Sequence, residues 1–310
     1  MDLLLWQGAI TKWLRRSSVV LEAELLREWS QSRVVRIKIL DAGVKRFIFA
    51  KQAHVGLDTE VTIYGLANRV KAFPAPAALC VSIDGEEWLL LEEAKGTRLA
   101  NSTASNYRQA ANSLAVFHER AALRGWPDKV GLNNNLPDRI SMLLEQAIDR
   151  IRQAVHAEQF TEVDLDLVVS VQSMVNRHGP QLIRRLTLYP TTLVHGDCHS
   201  GNIFLSETGI QMVDWGSASV APGLLDMVGL IDVAERMSEP VGHIPEVISA
   251  YWSHLSADTR DGYSDFAQAW RTLRVVRALL ELQWFLETDD DYGRRANREL
   301  KIIYENLLCV

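Results

Sequence analysis

Apolar residues change their spacing several times along this 310-residue chain, and each change marks a predicted element. In residues 1–29, Leu21, Leu25 and Leu26 fall on one side while Arg15, Arg16, Glu24 and Arg27 lie elsewhere, so the spacing predicts an amphipathic helix. After Ser32 the period shortens to two. Val34 to Leu40 and Lys45 to Lys51 alternate apolar with basic residues around Asp41-Ala42-Gly43, the pattern of a β-hairpin with one face on a core. Asp58 is the predicted N-cap of a helical run from Glu60 to Val70. Phe73-Pro74-Ala75-Pro76 follows and cannot be helical, because each proline restrains the residue before it. Ala77 to Ile83 and Trp88 to Leu91, joined at Asp84-Gly85, predict a second hairpin.

Lys95-Gly96-Thr97 and the polar run Asn101-Ser102-Thr103 mark a boundary, which predicts domains at residues 1–93 and 94–310. Beyond it the period is helical almost throughout. Tyr107 to Ala121 comes first, then a stripe of Ile140, Leu143, Leu144, Ala147, Ile148, Ile151 and Val155, then Leu165 to Leu186. Further helices are expected from Leu224, over Ile244 to Leu255, Ser264 to Leu286, and Arg294 to Leu308. The exception is Leu193 to Asp226, where Ile203-Phe204-Leu205 and Ile210 to Val213 read as short strands around the turn Ser206 to Gly209. A β-rich first part and a helical second part make the fold class α+β.

Hydrophobic content of 47% and charged content of 23% are those of a globular protein. A formal charge of −6 argues against nucleic acid or an anionic membrane surface as main partner, since both ask for a basic face. Cys80, Cys198 and Cys309 are odd in number and far apart, which suits reduced thiols. With no basic leader and no run of membrane-spanning length, a cytoplasmic location is expected.

The chemistry lies where the helical period breaks. Asp197 is followed after five positions by Asn202 and after twelve more by Asp214. The predicted hairpin folds Asp214 back beside Asn202. Two carboxylates and a carboxamide so placed suit phosphoryl transfer, in which one carboxylate takes the proton of an attacking hydroxyl while the other two groups hold Mg2+ on the phosphates of ATP or GTP. Asp197 is thereby the base, and Asn202 and Asp214 are the metal ligands. Other chemistries fit less well: His195, Asp197, Cys198 and His199 lack the spacing of a zinc site, and no G-x-S-x-G elbow presents a serine.

His195-Gly196-Asp197 with Asn202, followed by Asp214-Trp215-Gly216, resembles the HGDxxxxN and DxG pair of the aminoglycoside phosphotransferase and choline kinase superfamily. Protein kinases carry HRDxxxxN and DFG at the same places. The resemblance implies a protein kinase-like bilobal fold, with a small β-rich lobe containing one main helix, a larger helical lobe, and nucleotide in the cleft between them. By the same resemblance Lys51 touches the α- and β-phosphates with Glu60 as its partner, and main-chain groups at Glu92 and Ala94 form the hinge that reads adenine. It makes His195 a structural residue of the catalytic loop and Asp226 the aspartate that braces that loop. Leu114-Ala115-Val116-Phe117-His118 resembles the family's LAxLH run, with His118 structural. The chain departs from the protein-kinase pattern in having no G-x-G-x-x-G between Trp29 and Lys51; Ser30-Gln31-Ser32-Arg33 stands there instead.

Only twelve positions separate Asp214 from Asp226, too few for the segment on which protein kinases dock a peptide, so the expected acceptor is a small molecule with a hydroxyl. The negative charge mildly favours a neutral or cationic one. Trp284, Glu287, Asp289 and Asp290 fall where the family's substrate-binding helices lie, and an acidic group beside aromatics suits an ammonium, a solvated acidic helix end being the plain alternative. The competing function is a nucleotide-binding pseudokinase without turnover. Retention of Asp197 speaks against it, because a pure binder has no need of a base.

Overall fold

The computed structural model describes residues 3–28, 32–53, 57–70, 72–100, 102–132, 135–207, 209–287 and 292–308. In chain order the elements begin with α1 (Leu3–Leu14), β1 (Ser18–Glu28), β2 (Ser32–Asp41), β3 (Val44–Ala53), α2 (Leu57–Ala67), β4 (Ala78–Ile83), β5 (Glu86–Glu92) and β6 (Thr97–Arg98). There follow α3 (Ala104–Leu123), α4 (Trp126–Lys129), α5 (Leu136–His156), α6 (Leu165–Leu186), β7 (Thr192–Val194), β8 (Ile203–Ser206), β9 (Gly209–Met212) and β10 (Ser219–Ala221). The last are α7 (Leu224–Arg236), α8 (Ile244–Ser253), α9 (Ala257–Gly262), α10 (Phe266–Leu286) and α11 (Gly293–Leu307). The chain groups into two compact units, one of Met1–Phe117, His195–Ala218 and Ala234–Val247, the other of His118–Val194, Ser219–Val233 and Ile248–Val310.

In the first unit β1 to β5 form an antiparallel sheet in the order β1-β2-β3-β5-β4. Alternation along β2 and β3 turns Val35, Ile37, Ile39, Ile48 and Ala50 to one face, where Trp6 and Ile10 of α1 pack with Trp88 and Leu90 of β5. Trp6 and Trp88 meet edge to face at 5.1 Å. On β3, Lys51 lies opposite Val34 on one side and Leu89 on the other, on the face away from that core.

The residues read as one helix over 1–29 are helix α1 followed by strand β1. Bulges between Val20 and Glu22 and between Leu25 and Arg27 shift the phase of β1, so that Leu21, Leu25 and Leu26 mimic a helical stripe; all three are exposed on this edge strand. The ladder with β2 overrides the local pattern. Asp58 is not an N-cap either, for α2 begins at Leu57 and Asp58 lies in its first turn, where a carboxylate still favours the helix dipole.

The second unit is mostly helical. Apolar stripes on α5 and α10 meet, and α11 packs on α6 and α10. Its two-stranded ladder sets Leu193 of β7 opposite Val220 of β10. No helix among the described residues is long and apolar enough to cross a membrane.

Candidate active site

Residues 195–218, which carry the candidate base and metal ligands, belong to the first unit. After β7 the chain turns through Gly196, whose φ is 78° and whose missing side chain is required twice over, since a Cβ there would overlap the Ser217 carbonyl oxygen. The HGD turn is thereby pressed against the turn that follows Asp214. His195 joins the two as well: its Nδ1 accepts from Asp197 N–H at 3.3 Å, and its Nε2 donates to the Val213 carbonyl at 2.9 Å. Beneath them Trp215 is fully buried among Phe73, Phe117 and His195, at ring distances of 5.1, 5.8 and 4.6 Å.

A short 3₁₀ turn, Ser200–Asn202, leads into β8, and His199 caps it by accepting from Gly201 N–H at 3.1 Å. β8 pairs with β9 from Ile203 opposite Met212 to Ser206 opposite Gly209, and Val213 N–H donates to the Asn202 carbonyl at 3.0 Å. That register brings Asp214 back beside Asn202, as the spacing predicts. Asp214 itself has φ 68°, a left-handed conformation that Asp tolerates better than most residues.

Asn202 Nδ2 points at Asp197, 3.1 Å from its carbonyl and 3.4 Å from its Oδ2, which leaves the amide oxygen as the outward end. Asp214 Oδ1 lies 2.6 Å from Lys51 Nζ, which is also 2.7 Å from Glu60 Oε2. Burial works against the Lys51 ammonium, yet Glu60 and Asp214 hold its pKa above the ordinary value. Burial also opposes the Asp214 carboxylate, and Lys51, aided by His195 and Arg27, holds its pKa below the ordinary value. Glu60 is pushed up by its burial against the pull of Lys51, with Asp214 adding to the push.

This arrangement fits magnesium. Two carboxylates facing one ammonium favour a further cation, and the amide oxygen of Asn202 with the second oxygen of Asp214 supplies the hard oxygen donors that Mg2+ takes. Among the described residues no group of three His, Cys, Asp or Glu gathers as a metal site.

At the expected hinge, Glu92 N–H donates to the Ala77 carbonyl at 2.9 Å. Lys95 N–H is held by Gln211 Oε1 at 2.6 Å. Between them Ala94 has no hydrogen-bond partner among the described residues.

Asp226 lies in the second unit, where its Oδ2 is 3.1 Å from His118 Nε2 and His118 Nδ1 is 2.8 Å from the Tyr251 hydroxyl. The same unit holds the proposed substrate group. Trp284 is half exposed at the end of α10 with Tyr292 at 5.3 Å, and Glu287 accepts from Gln283 at 2.8 Å. Asp289, Asp290 and Asp291 lie outside the described residues, as do Trp29, Ser30 and Gln31 of the nucleotide-covering stretch.

One member of the site carries no sequence signal. Glu239, just after α7, accepts from Ser200 Oγ at 2.7 Å and from the Tyr107 hydroxyl, and so clamps the turn that carries Asn202. Burial, together with that contact, raises the Tyr107 pKa above its ordinary value. No motif links Tyr107, Ser200 and Glu239, because they meet only through folding.

Solved structures share this fold. A choline kinase from Cryptosporidium parvum Iowa II aligns with a TM-score of 0.68 at 13% identity, covering 98% of this chain and 95% of its own. The macrolide 2'-phosphotransferase MphH from Brachybacterium faecium gives 0.60 at 14%, covering 97% and 98%. ADP-bound aminoglycoside phosphotransferase APH(2'')-Ib gives 0.55 at 12%, covering 99% and 97%. No curated protein sequence matches. A sequence model described as "Phosphotransferase enzyme family" matches residues 24–275, from β1 into α10, and therefore takes in Lys51, Glu60, Asp197, Asn202 and Asp214. The chain, with its kinase-like α+β fold, belongs to the phosphotransferase enzyme family.

Proposed function

We propose that the protein transfers the γ-phosphoryl group of ATP or GTP to a hydroxyl of a small molecule, with Asp197 as general base and Asn202 and Asp214 as magnesium ligands. The observation that carries this reading is the junction at the end of β9: Val213 N–H on the Asn202 carbonyl at 3.0 Å, with Asp214 2.6 Å from Lys51 Nζ. It gathers a cation for phosphates and two oxygen donors for a metal in one place. When bound, the magnesium ion neutralises phosphate charge that these carboxylates would otherwise repel.

Lys51, steadied by Glu60, presents its ammonium to the α- and β-phosphates, and the main-chain groups of Ala94 meet the edge of the base. Asp197, whose Oδ2 lies 3.8 Å from His199 Nε2, keeps 39% of its side chain exposed, which supports access for an incoming hydroxyl. As the hydroxyl oxygen bonds to the γ-phosphorus and the bond to the β,γ-bridging oxygen breaks, the proton passes to Asp197. His195 orients that loop. The positions between Asp214 and Asp226 are taken up by the turn Trp215–Ser217, β10 and the start of α7, which favours a small acceptor over a peptide. The similar proteins named for choline, macrolide and aminoglycoside phosphorylation support the same class. A cationic acceptor suits the formal charge of −6.

The test is phosphate transfer from Mg·ATP to a panel of aminoglycosides, macrolides, choline and homoserine. Transfer to one acceptor is expected. Nucleotide binding with neither transfer nor ATP hydrolysis across a wide panel would establish the pseudokinase reading instead.

A further inference from the structure

We infer that Arg27 of β1 is a phosphate-binding residue of the nucleotide site, supplying side-chain charge in a chain that has no glycine-rich loop. This rests on the phosphotransferase reading above. It begins with the second bulge of β1. Leu25 pairs with Val35, and the next pair is Arg27 with Val34, so Leu26 is skipped. In an unbroken ladder Leu26 would stand opposite Val34. Bulges re-aim side chains in this way and are common beside active sites.

Residues directly opposite each other on neighbouring strands share a face of the sheet. Arg27 stands opposite Val34, and Val34 stands opposite Lys51. The three form one row across the sheet, with the two cations two strands apart, about 10 Å by the usual strand spacing. This is the face on which Lys51 meets Asp214 and Glu60. Burial agrees: Leu26 is exposed, while Arg27, the more polar neighbour, is half-buried.

Arg27 Nη2 donates to Ser32 Oγ at 3.1 Å, which ties the guanidinium to the start of β2. A planar guanidinium suits phosphate because its N–H groups donate in a fork while the charge stays on at any working pH. A glycine-rich loop would cover phosphates with backbone N–H groups; here Ser30-Gln31-Ser32-Arg33 occupies that stretch of sequence. If Arg27 served only to balance Glu60 and Asp214, replacing it would change stability without regard to how many phosphates a ligand carries.

The experiment is calorimetry of ATP, ADP and AMP, each with Mg2+, on the full chain and its R27Q and R27K variants, with thermal unfolding followed alongside. R27Q is expected to lose about tenfold or more in affinity for ATP and to stay within about twofold for AMP, with R27K recovering part of the loss. Should R27Q fail to fold, R27M, which keeps the packing of the stem, takes its place. Unchanged ATP affinity in a folded R27Q or R27M, or equal losses for ATP and AMP, overturns the role of Arg27 alone. A folded wild-type protein that binds none of the three nucleotides overturns the phosphotransferase reading and this inference with it.

Discussion

The β8–β9 and β1–β2 hairpins lie in the same unit and are held in place by different means. β8 and β9 pair over four residues each without a bulge, and close contacts anchor the loops on either side: Gly196 against the Ser217 carbonyl, and His195 on the Val213 carbonyl at 2.9 Å. The β1–β2 hairpin is longer and lies at a sheet edge. It carries exposed ion pairs, Arg36 with Glu24 and Arg33 with Glu28, both at 2.5 Å, and two bulges interrupt it. The short hairpin has to bring Asn202 and Asp214 together at its open end. The long one has only to keep its pairing and one buried face, so substitutions in its exposed ion pairs cost little, apart from the bulge that aims Arg27.

The largest effect should come from Asp197→Asn, which keeps the shape of the side chain but takes up no proton at neutral pH. Turnover is expected to fall by about a hundredfold or more, while ATP affinity by calorimetry stays within a few-fold. Turnover that survives with the true acceptor would make Asp197 a loop-shaping residue. Next is Gly196→Ala, where both the positive φ and the overlap with Ser217 force the backbone to move. A loss of about 1–3 kcal/mol in urea unfolding is expected, with turnover falling by about a hundredfold through displacement of Asp197. A stable and active G196A would mean that the contact between the two turns is not needed.

Asp214→Asn tests the metal ligand and its charge together. Magnesium-dependent enhancement of ATP binding should be lost, and calorimetry with and without Mg2+ measures it directly. The pH dependence has a definite sign. The Asp214 pKa in the folded protein lies below its ordinary 3.8, so the ionised group contributes stability above 3.8, and that contribution is lost as pH falls through the folded value. The stability difference between wild type and D214N should therefore narrow on acidification below 3.8; a constant gap would mean that Lys51 does not hold the carboxylate in solution. The smallest effect belongs to the long hairpin. Arg36→Ala breaks an exposed pair and should cost no more than about 0.5 kcal/mol. A cost several times larger would show the exposed pairs of β1–β2 to be as constrained as β8–β9.

The sequence by itself determined the placement of Asn202 and Asp214, because only a turn and two short strands separate them and alternation sets which residues face each other. It determined β2, β3, β4 and β5 for the same reason, each strand alternating next to a tight turn. Lys51 and Glu60 were legible only through resemblance, since Lys51 meets Asp214 across 163 positions of chain. The leucines of β1 misled because a bulge adds a residue without altering composition, and the partner strand decides where it falls. The same holds for the commitment of Glu92 N–H to Ala77 and for the clamp of Glu239 on Ser200 and Tyr107. Periodicity and turn chemistry act over a few residues and can be read from them, whereas a bulge, a committed hinge N–H and a clamp depend on which distant groups arrive beside them, and only the tertiary structure decides that.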